Sequence, residues 1–131
     1  MKIIGDGGHA KVVRTLTEWD AFGKYICAIG DNKARKSYIE QHKEYGWSIA
    51  TYNKFLWKDD VDIGEGTVIM DGAVIQPGVV IGKHCIINTG ATVDHDCMLG
   101  DFVHIAPGAH LCGNVTVGEG ALVGVGVGIE P

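Results

Sequence analysis

An unbroken row of aliphatic residues at a spacing of six constrains this chain more than any other feature. The row runs Ile63, Ile69, Ile75, Ile81, Ile87, Val93, Leu99, Ile105, Leu111, Val117, Val123, Ile129. Four positions beyond its members stand small or β-branched residues: Thr67, Ala73, Val79, Cys85, Ala91, Cys97, Val103, Ala109, Val115, Ala121 and Val127. An amphipathic helix needs a period of about 3.6 and a sandwich strand a period of about 2, and neither sustains a sixfold frame. A hexapeptide repeat fits a parallel β-helix. The period-six side chain points inward from a short strand, the small residue fills the corner, and Gly or Asn takes the turn. Each coil covers the apolar face of the one before it. The sequence therefore predicts a β-helix from about residue 61 to residue 131.

Composition fits that frame. Twenty glycines in 131 residues are roughly twice average usage, and β-helix turns explain most of them. A net charge of −5 argues against a nucleic-acid partner. Met1-Lys2-Ile3-Ile4-Gly5 lacks the apolar core of a signal peptide, and no run of about 18 apolar residues occurs, so no membrane partner is expected. Cys27, Cys85, Cys97 and Cys112 form neither C-x-x-C pairs nor a dense framework. Cys85 and Cys97 fall on the small inward position and read as core fillers. A reducing cytoplasm is the expected compartment.

Residues 1 to about 58 leave the hexad frame. Lys2-Ile3-Ile4 reads as a short strand, followed by Gly5-Asp6-Gly7-Gly8-His9-Ala10. Val12, Val13, Leu16 and Trp19 predict one apolar face of a helix ending near Gly23. Tyr25 to Gly30 reads as a second strand closed by Asp31-Asn32, and Lys33 to Tyr45 as a second helix stopped by Gly46. Trp47 to Ala50 is a candidate third strand. Strand, glycine loop, helix and strand make a βαβ unit with a parallel sheet. It is small for independence and is expected to lean on the β-helix or a partner, with Tyr52 to Asp60 as a packed linker.

Two clusters carry candidate chemistry. A glycine loop between strand and helix can receive a pyrophosphate on its backbone N–H groups. G-x-G-G-H-A lacks the third glycine of the dinucleotide fingerprint, and any tight turn would also favour these residues. Asp31, about 20 residues on, stands where a nucleoside-contacting carboxylate belongs; an ordinary Asp-Asn turn is the other reading. The second cluster is Asp94-His95-Asp96. A carboxylate can orient a histidine and raise its basicity for general-base work, whereas a solvated Asp-His-Asp surface turn would do nothing. Three hexads make one coil, and coils stack about 4.8 Å apart. Gly113 is therefore expected directly above His95, where its N–H could meet an oxyanion, with Asn114 above Asp96. His104 lies half a coil from His95, so a neighbouring subunit would be needed to bring the two imidazoles together.

The run NTGATVDHDCMLGDFVHIAP (Asn88 to Pro107) and the opening Gly5 to Ala10 closely resemble the nucleotide-sugar acetyltransferases of the sialic-acid O-acetyltransferase type. That family includes bacterial enzymes that N-acetylate UDP- or dTDP-linked 4-amino-4,6-dideoxy sugars. The resemblance implies a small Rossmann-like domain over residues 1–58 and a left-handed parallel β-helix over residues 59–131. It implies a homotrimer with acetyl-CoA between adjacent β-helices, and no metal. By the same resemblance His95 is the general base, Asp96 its orienting acid and Gly113 the oxyanion donor. Asn88, His104 and Gly113 line the acetyl-CoA and acceptor site. Gly7, Gly8 and His9 cradle the phosphates of the nucleotide sugar, with Asp31 and Asn32 near its base or ribose. Family members continue for several coils past the point matching Pro131, so a fragment, or an end covered by oligomer contacts, is expected.

Three other functions compete. A sialic-acid-type O-acetyltransferase would share every motif. A γ-type carbonic anhydrase would place zinc on His95, His104 and His110 between subunits, but has no use for the glycine loop. A non-catalytic binding or scaffold module is the third.

Overall fold

The computed structural model describes residues 2–16, 18–19, 23–51 and 58–131. Its elements begin with strand β1 (Lys2–Ile4), helix α1 (Gly8–Val13), β2 (Glu18–Trp19), β3 (Tyr25–Cys27), helix α2 (Asn32–Gln41) and β4 (Ala50–Thr51). Two-residue strands follow, each ending on a hexad residue: β5 (Asp62–Ile63), β6 (Val68–Ile69), β7 (Val74–Ile75), β8 (Val80–Ile81), β9 (Ile86–Ile87), β10 (Thr92–Val93). The series continues with β11 (Met98–Leu99), β12 (His104–Ile105), β13 (His110–Leu111), β14 (Thr116–Val117), β15 (Leu122–Val123) and β16 (Gly128–Ile129).

Every third strand pairs in parallel, so that Val93 lies between Ile75 and Leu111. Three sheets result: β5-β8-β11-β14, β7-β10-β13-β16, and β6-β9-β12-β15, the last extended by β4 and β2. These are the three faces of a prism, and the predicted β-helix is present. Its core contains the hexad residues from Ile63 to Val123 with Val79, Cys85, Ala91, Cys97, Val103 and Ala109. Burial falls off in the last coil described, where Ile129 is partly buried and Val127, expected inside, is 43% exposed. A coil's inward side chains are covered only by the coils on either side.

The corners obey a second sixfold rule. Asp60, His84, Asp96, Phe102 and Asn114 have positive φ, as do Gly66, Gly72, Gly78, Gly90, Gly108, Gly120 and Gly126. Gly, Asn and Asp accept this left-handed conformation readily; His84 and Phe102 do not, and something must hold them there. What holds them is the N-terminal segment. The His84 ring stacks on Phe102 at 5.4 Å and meets Trp47 edge-on at 5.5 Å.

The N-terminal residues differ from expectation in several places. The β1–α1–β3 unit is present, with β1 and β3 parallel. Helix α1 stops at Val13, though, because the Thr15 hydroxyl donates to the Val12 carbonyl at 2.6 Å and ends the ladder. Glu18 and Trp19, read as helical, form β2 antiparallel to β4. Helix α2 stops at Gln41 and does not reach Tyr45; beyond it the His42 ring packs on Tyr38 of the helix at 4.0 Å and on Tyr45 at 5.0 Å. The expected third strand shrinks to one bridge from Trp47 to Tyr25, and the pairing moves on to Ala50 and Thr51. Of the expected linker, residues 52–57 lie outside the described residues; Lys58 donates to Gln76 at 2.8 Å.

As expected, this segment leans on the β-helix. Ala10, Val13, Leu16, Ile26 and Ala28 pack on Val68, Met70 and Ile86. Cys27, Ile39 and Trp47 pack on Phe102. Among the described residues no helix is long and apolar enough to cross a membrane.

Two stability outcomes follow. Ile87, at the centre of the prism and fully buried, should cost roughly 2–5 kcal/mol when truncated to Ala, read as a urea-denaturation shift. His84, only 4% exposed, is held down to about 4, chiefly by burial and then by the Arg35 charge. The half-buried His9 and His104 are also held near 4, with burial again the main cause. An unfolded histidine protonates near 6.5, so the unfolded chain takes up protons first. Stability should be full above about pH 6.5 and fall as pH drops toward about 4. The exposed His95, raised by its bond to Asp96, opposes this only weakly. A urea midpoint that stays flat across this window would contradict the buried neutral histidines.

Candidate functional site

The expected residues fall into two groups on different parts of the prism. His95 follows β10 and precedes β11, at the corner between those two faces. His104 sits on β12, on the third face, which lies opposite that corner. One chain therefore does not bring the two imidazoles together.

At the corner, the eighteen-residue register produces the stacking expected from the sequence. The Asn114 N–H donates to the His95 carbonyl at 2.9 Å, locking one coil over the next. A Cβ at Gly113 would run into the His95 ring, so the ring keeps its present position only over a glycine. His95 Nδ1 lies 3.0 Å from Asp96 Oδ2, and the His95 N–H donates to Asp94 Oδ1 at 2.8 Å. The carboxylate holds the ring proton on Nδ1, which leaves Nε2, over Gly113, as the basic atom. His95 and Asp96 are 56% and 60% exposed. The Asp96 hydrogen bond is the main cause raising the histidine above its ordinary range.

The second group lines a cleft between the glycine loop and the β12 face. One part, a cavity of about 350 Å³, is walled by Gly5 to His9 and by Ala28 to Gly30. The other, about 420 Å³, is walled by Gly30 to Lys33 with His104, Gly120 and Leu122. Gly30 is common to both. Gly5 must be glycine: its φ is +120°, and a Cβ would press on the Ala28 carbonyl oxygen at 2.7 Å. Packing does not explain Gly7 and Gly8, where a Cβ would meet nothing within 4 Å. Their effect is to leave the loop backbone bare. His9 turns a buried, unpartnered Nε2 inward.

His104 is held in a defined state. Asn88 Oδ1 accepts from the Thr89 N–H at 2.8 Å, so Asn88 Nδ2 is the donor to His104 Nε2 at 3.0 Å. The ring proton of His104 is then on Nδ1, and burial keeps the ring neutral. Asp31 caps α2 by accepting from Ala34 N–H. The Asn32 amide is fully committed: Nδ2 donates to the Gly120 and Ala121 carbonyls at 3.0 and 3.3 Å, and Oδ1 accepts from Arg35. His110, offered above as a zinc ligand, pairs with the Thr92 hydroxyl at 2.8 Å. No group of three or more His, Cys, Asp or Glu able to hold a metal occurs among the described residues.

Arg35 was not singled out from the sequence, where it falls within the stretch read as the second helix. Its spacing from Ile39 was the available signal, because those two are the residues of α2 that are buried.

Comparison with known proteins bears on the repeat and the fold. The bacterial transferase hexapeptide (six repeats) family matches residues 60–95 and 96–131. A GDP-perosamine N-acetyltransferase of Escherichia coli O157:H7 is 36% identical over 106 residues, which is 79% of this chain and 48% of that protein. The chain thus spans about half the length of this curated relative. A mutant perosamine N-acetyltransferase of Caulobacter crescentus, solved with CoA and GDP-perosamine, superposes with a TM-score of 0.88 at 32% identity. That match covers 99% of this chain and 79% of the other. The acetyltransferase domain of PglB from Neisseria gonorrhoeae, solved with acetyl coenzyme A, gives 0.86 at 31%, covering 97% and 80%. The hexad frame, the prism and the matched residues lead to one statement of kinship: this chain belongs to the bacterial transferase hexapeptide family.

Proposed function

We propose that the protein transfers acetyl from acetyl-CoA to the amine of a nucleotide-linked amino sugar. The observation that carries this reading is an exposed imidazole, oriented by a carboxylate, over a glycine whose missing Cβ leaves room for the ring. The N-acetyltransferases among the relatives support acetyl-CoA and an amine acceptor. GDP-perosamine in one of them supports a GDP-linked sugar, where the sequence resemblance pointed to UDP or dTDP. In this reading residues 1–58 are a small Rossmann-like unit and residues 59–131 a left-handed β-helix. Gly7, Gly8 and His9 receive the phosphates, Asp31 and Asn32 lie toward the nucleoside, and Asn88 and His104 face the acetyl group and acceptor. No metal takes part, and the cytoplasm is the compartment.

The acceptor amine attacks the thioester carbonyl. His95 Nε2 takes the amine proton as the tetrahedral intermediate forms or collapses, Asp96 stabilises the resulting imidazolium, and the Gly113 N–H receives the oxyanion. CoA leaves as the thiol. Transfer is direct. Cys27, Cys85 and Cys97 are buried, and the exposed Cys112 is not used. His95→Ala should lower kcat by roughly 10²–10⁴-fold, while Cys112→Ala keeps it, measured as CoA release with acetyl-CoA and a nucleotide-linked amino sugar. Activity should decline as pH falls through the raised His95 value, above the ordinary 6.5. A His95→Ala enzyme that keeps most of its rate would move the base elsewhere.

Because His95 and His104 lie on a corner and the face opposite it, we propose a C3 trimer in which one chain's corner meets its neighbour's face. Sedimentation equilibrium should give three times the monomer mass. A stable monomer with full activity would contradict the shared site.

A further inference from the structure

We infer that Arg35 is the positioning residue that fixes the nucleotide-sugar cleft, by clamping both of its walls to the β-helix through a buried guanidinium that itself never touches the ligand. The inference rests on the cleft being the nucleotide-sugar site.

Arg35 is 1% exposed, and no carboxylate pairs with it among the described residues. Its acceptors among the described residues are all neutral. Nε donates to the His84 carbonyl at 2.9 Å and Nη2 to the Phe102 carbonyl at 3.3 Å. Those two residues occupy the left-handed corner positions, so this half of the fork grips the prism. Nη1 donates to the Ile29 and Gly30 carbonyls at 3.2 and 3.0 Å, and Nη2 also donates to Asn32 Oδ1 at 2.7 Å. That half grips the cleft.

The grip reaches both cavities. Gly30 is their shared wall and lies beside His9 of the glycine loop, with space between them for no more than a Cβ in ordinary contact. Asn32, turned by Arg35, carries its amide to the Gly120 and Ala121 carbonyls at the foot of the His104 cavity. A buried arginine without a counter-ion is expensive. Packing alone would be served by Met or Leu. A planar five-donor fork is the side chain able to join five acceptors in fixed directions. Its charge also acts on the cleft: after burial, Arg35 is a further cause holding His104 neutral, and it contributes likewise at His9. Both imidazoles then meet a ligand as hydrogen-bonding groups.

The test uses Arg35→Lys, which keeps the charge and loses the fork, and Arg35→Met, which loses both. Calorimetry with GDP, UDP and dTDP identifies the nucleotide that wild type binds. Both variants should bind that nucleotide roughly tenfold or more weakly and raise KM for the sugar substrate. KM for acetyl-CoA and kcat should stay within about threefold. In Arg35→Met, but not in the charge-retaining Arg35→Lys, the His9 and His104 rings should titrate closer to 6.5 by NMR; loosening of α2 would uncover the rings and move them in both variants. Wild-type nucleotide affinity in either folded variant overturns the role. So does an equal loss in all constants, or failure of both variants to fold, since Arg35 would then serve folding alone. Wild type that binds none of the three nucleotides defeats the reading of the cleft itself, a different result from variants that bind as well as wild type does.

Discussion

The backbone ladder between coils is the constraint from which the rest of this structure follows. Each strand N–H donates to a carbonyl one coil away, as from Ile86 to Val103 and from Asn88 to Ile105, both at 2.9 Å. That ladder forces residues eighteen apart to lie over one another, side chains included. Thr67 meets the Cys85 N–H, Lys83 the Asp101 carboxylate, and Thr92 the His110 ring by the same offset. The pairing of His95 with Gly113, and of His84 with a glycine at 66, is this rule applied to large rings. A histidine on an outer turn can lie flat only where the next coil offers no Cβ.

A repeat this regular gives every corner the same shape, so function depends on where the corners differ. Most left-handed positions hold glycine or a small polar residue. His84 and Phe102 put aromatic rings there, and those rings are what Trp47, Cys27 and Ile39 pack against. The strain at the two corners is held by burying the N-terminal segment on them. Arg35 then ties the carbonyls of the same two residues to Gly30 and Asn32. The N-terminal segment is therefore anchored on the side of the prism away from His95, whose corner stays open.

The repeat was legible because its signal is local and redundant: each hexad restates the frame, and an error at one leaves the others. The stacking of Gly113 on His95 could be read by arithmetic for the same reason. The N-terminal helices were not, since their ends depend on single contacts. Thr15 ends α1 by bonding back to Val12, and the rings of Tyr38, His42 and Tyr45 prefer one another to a further helical turn. Asn32 was read only as lying near the nucleoside, and nothing local signals that its amide bonds to groups 88 and 89 residues away. The role of Arg35 was missed for the same reason, with partners 49 and 67 residues distant. Pattern reading finds what repeats; it does not find a contact made once across the fold.

The two histidine environments divide the chemistry in a physically consistent way. His95 stands in water beside carboxylates and is driven toward higher basicity. His104 and His9 are covered, lie near a buried cation and are kept neutral. Groups meant to exchange a proton belong in the first environment, and groups meant to hold an anionic ligand by fixed hydrogen bonds in the second. The prism keeps the two apart within one chain, because a corner and the face opposite it cannot converge however the side chains turn. In the proposed trimer a second copy's face would meet the first copy's corner, and assembly would then be a condition of catalysis.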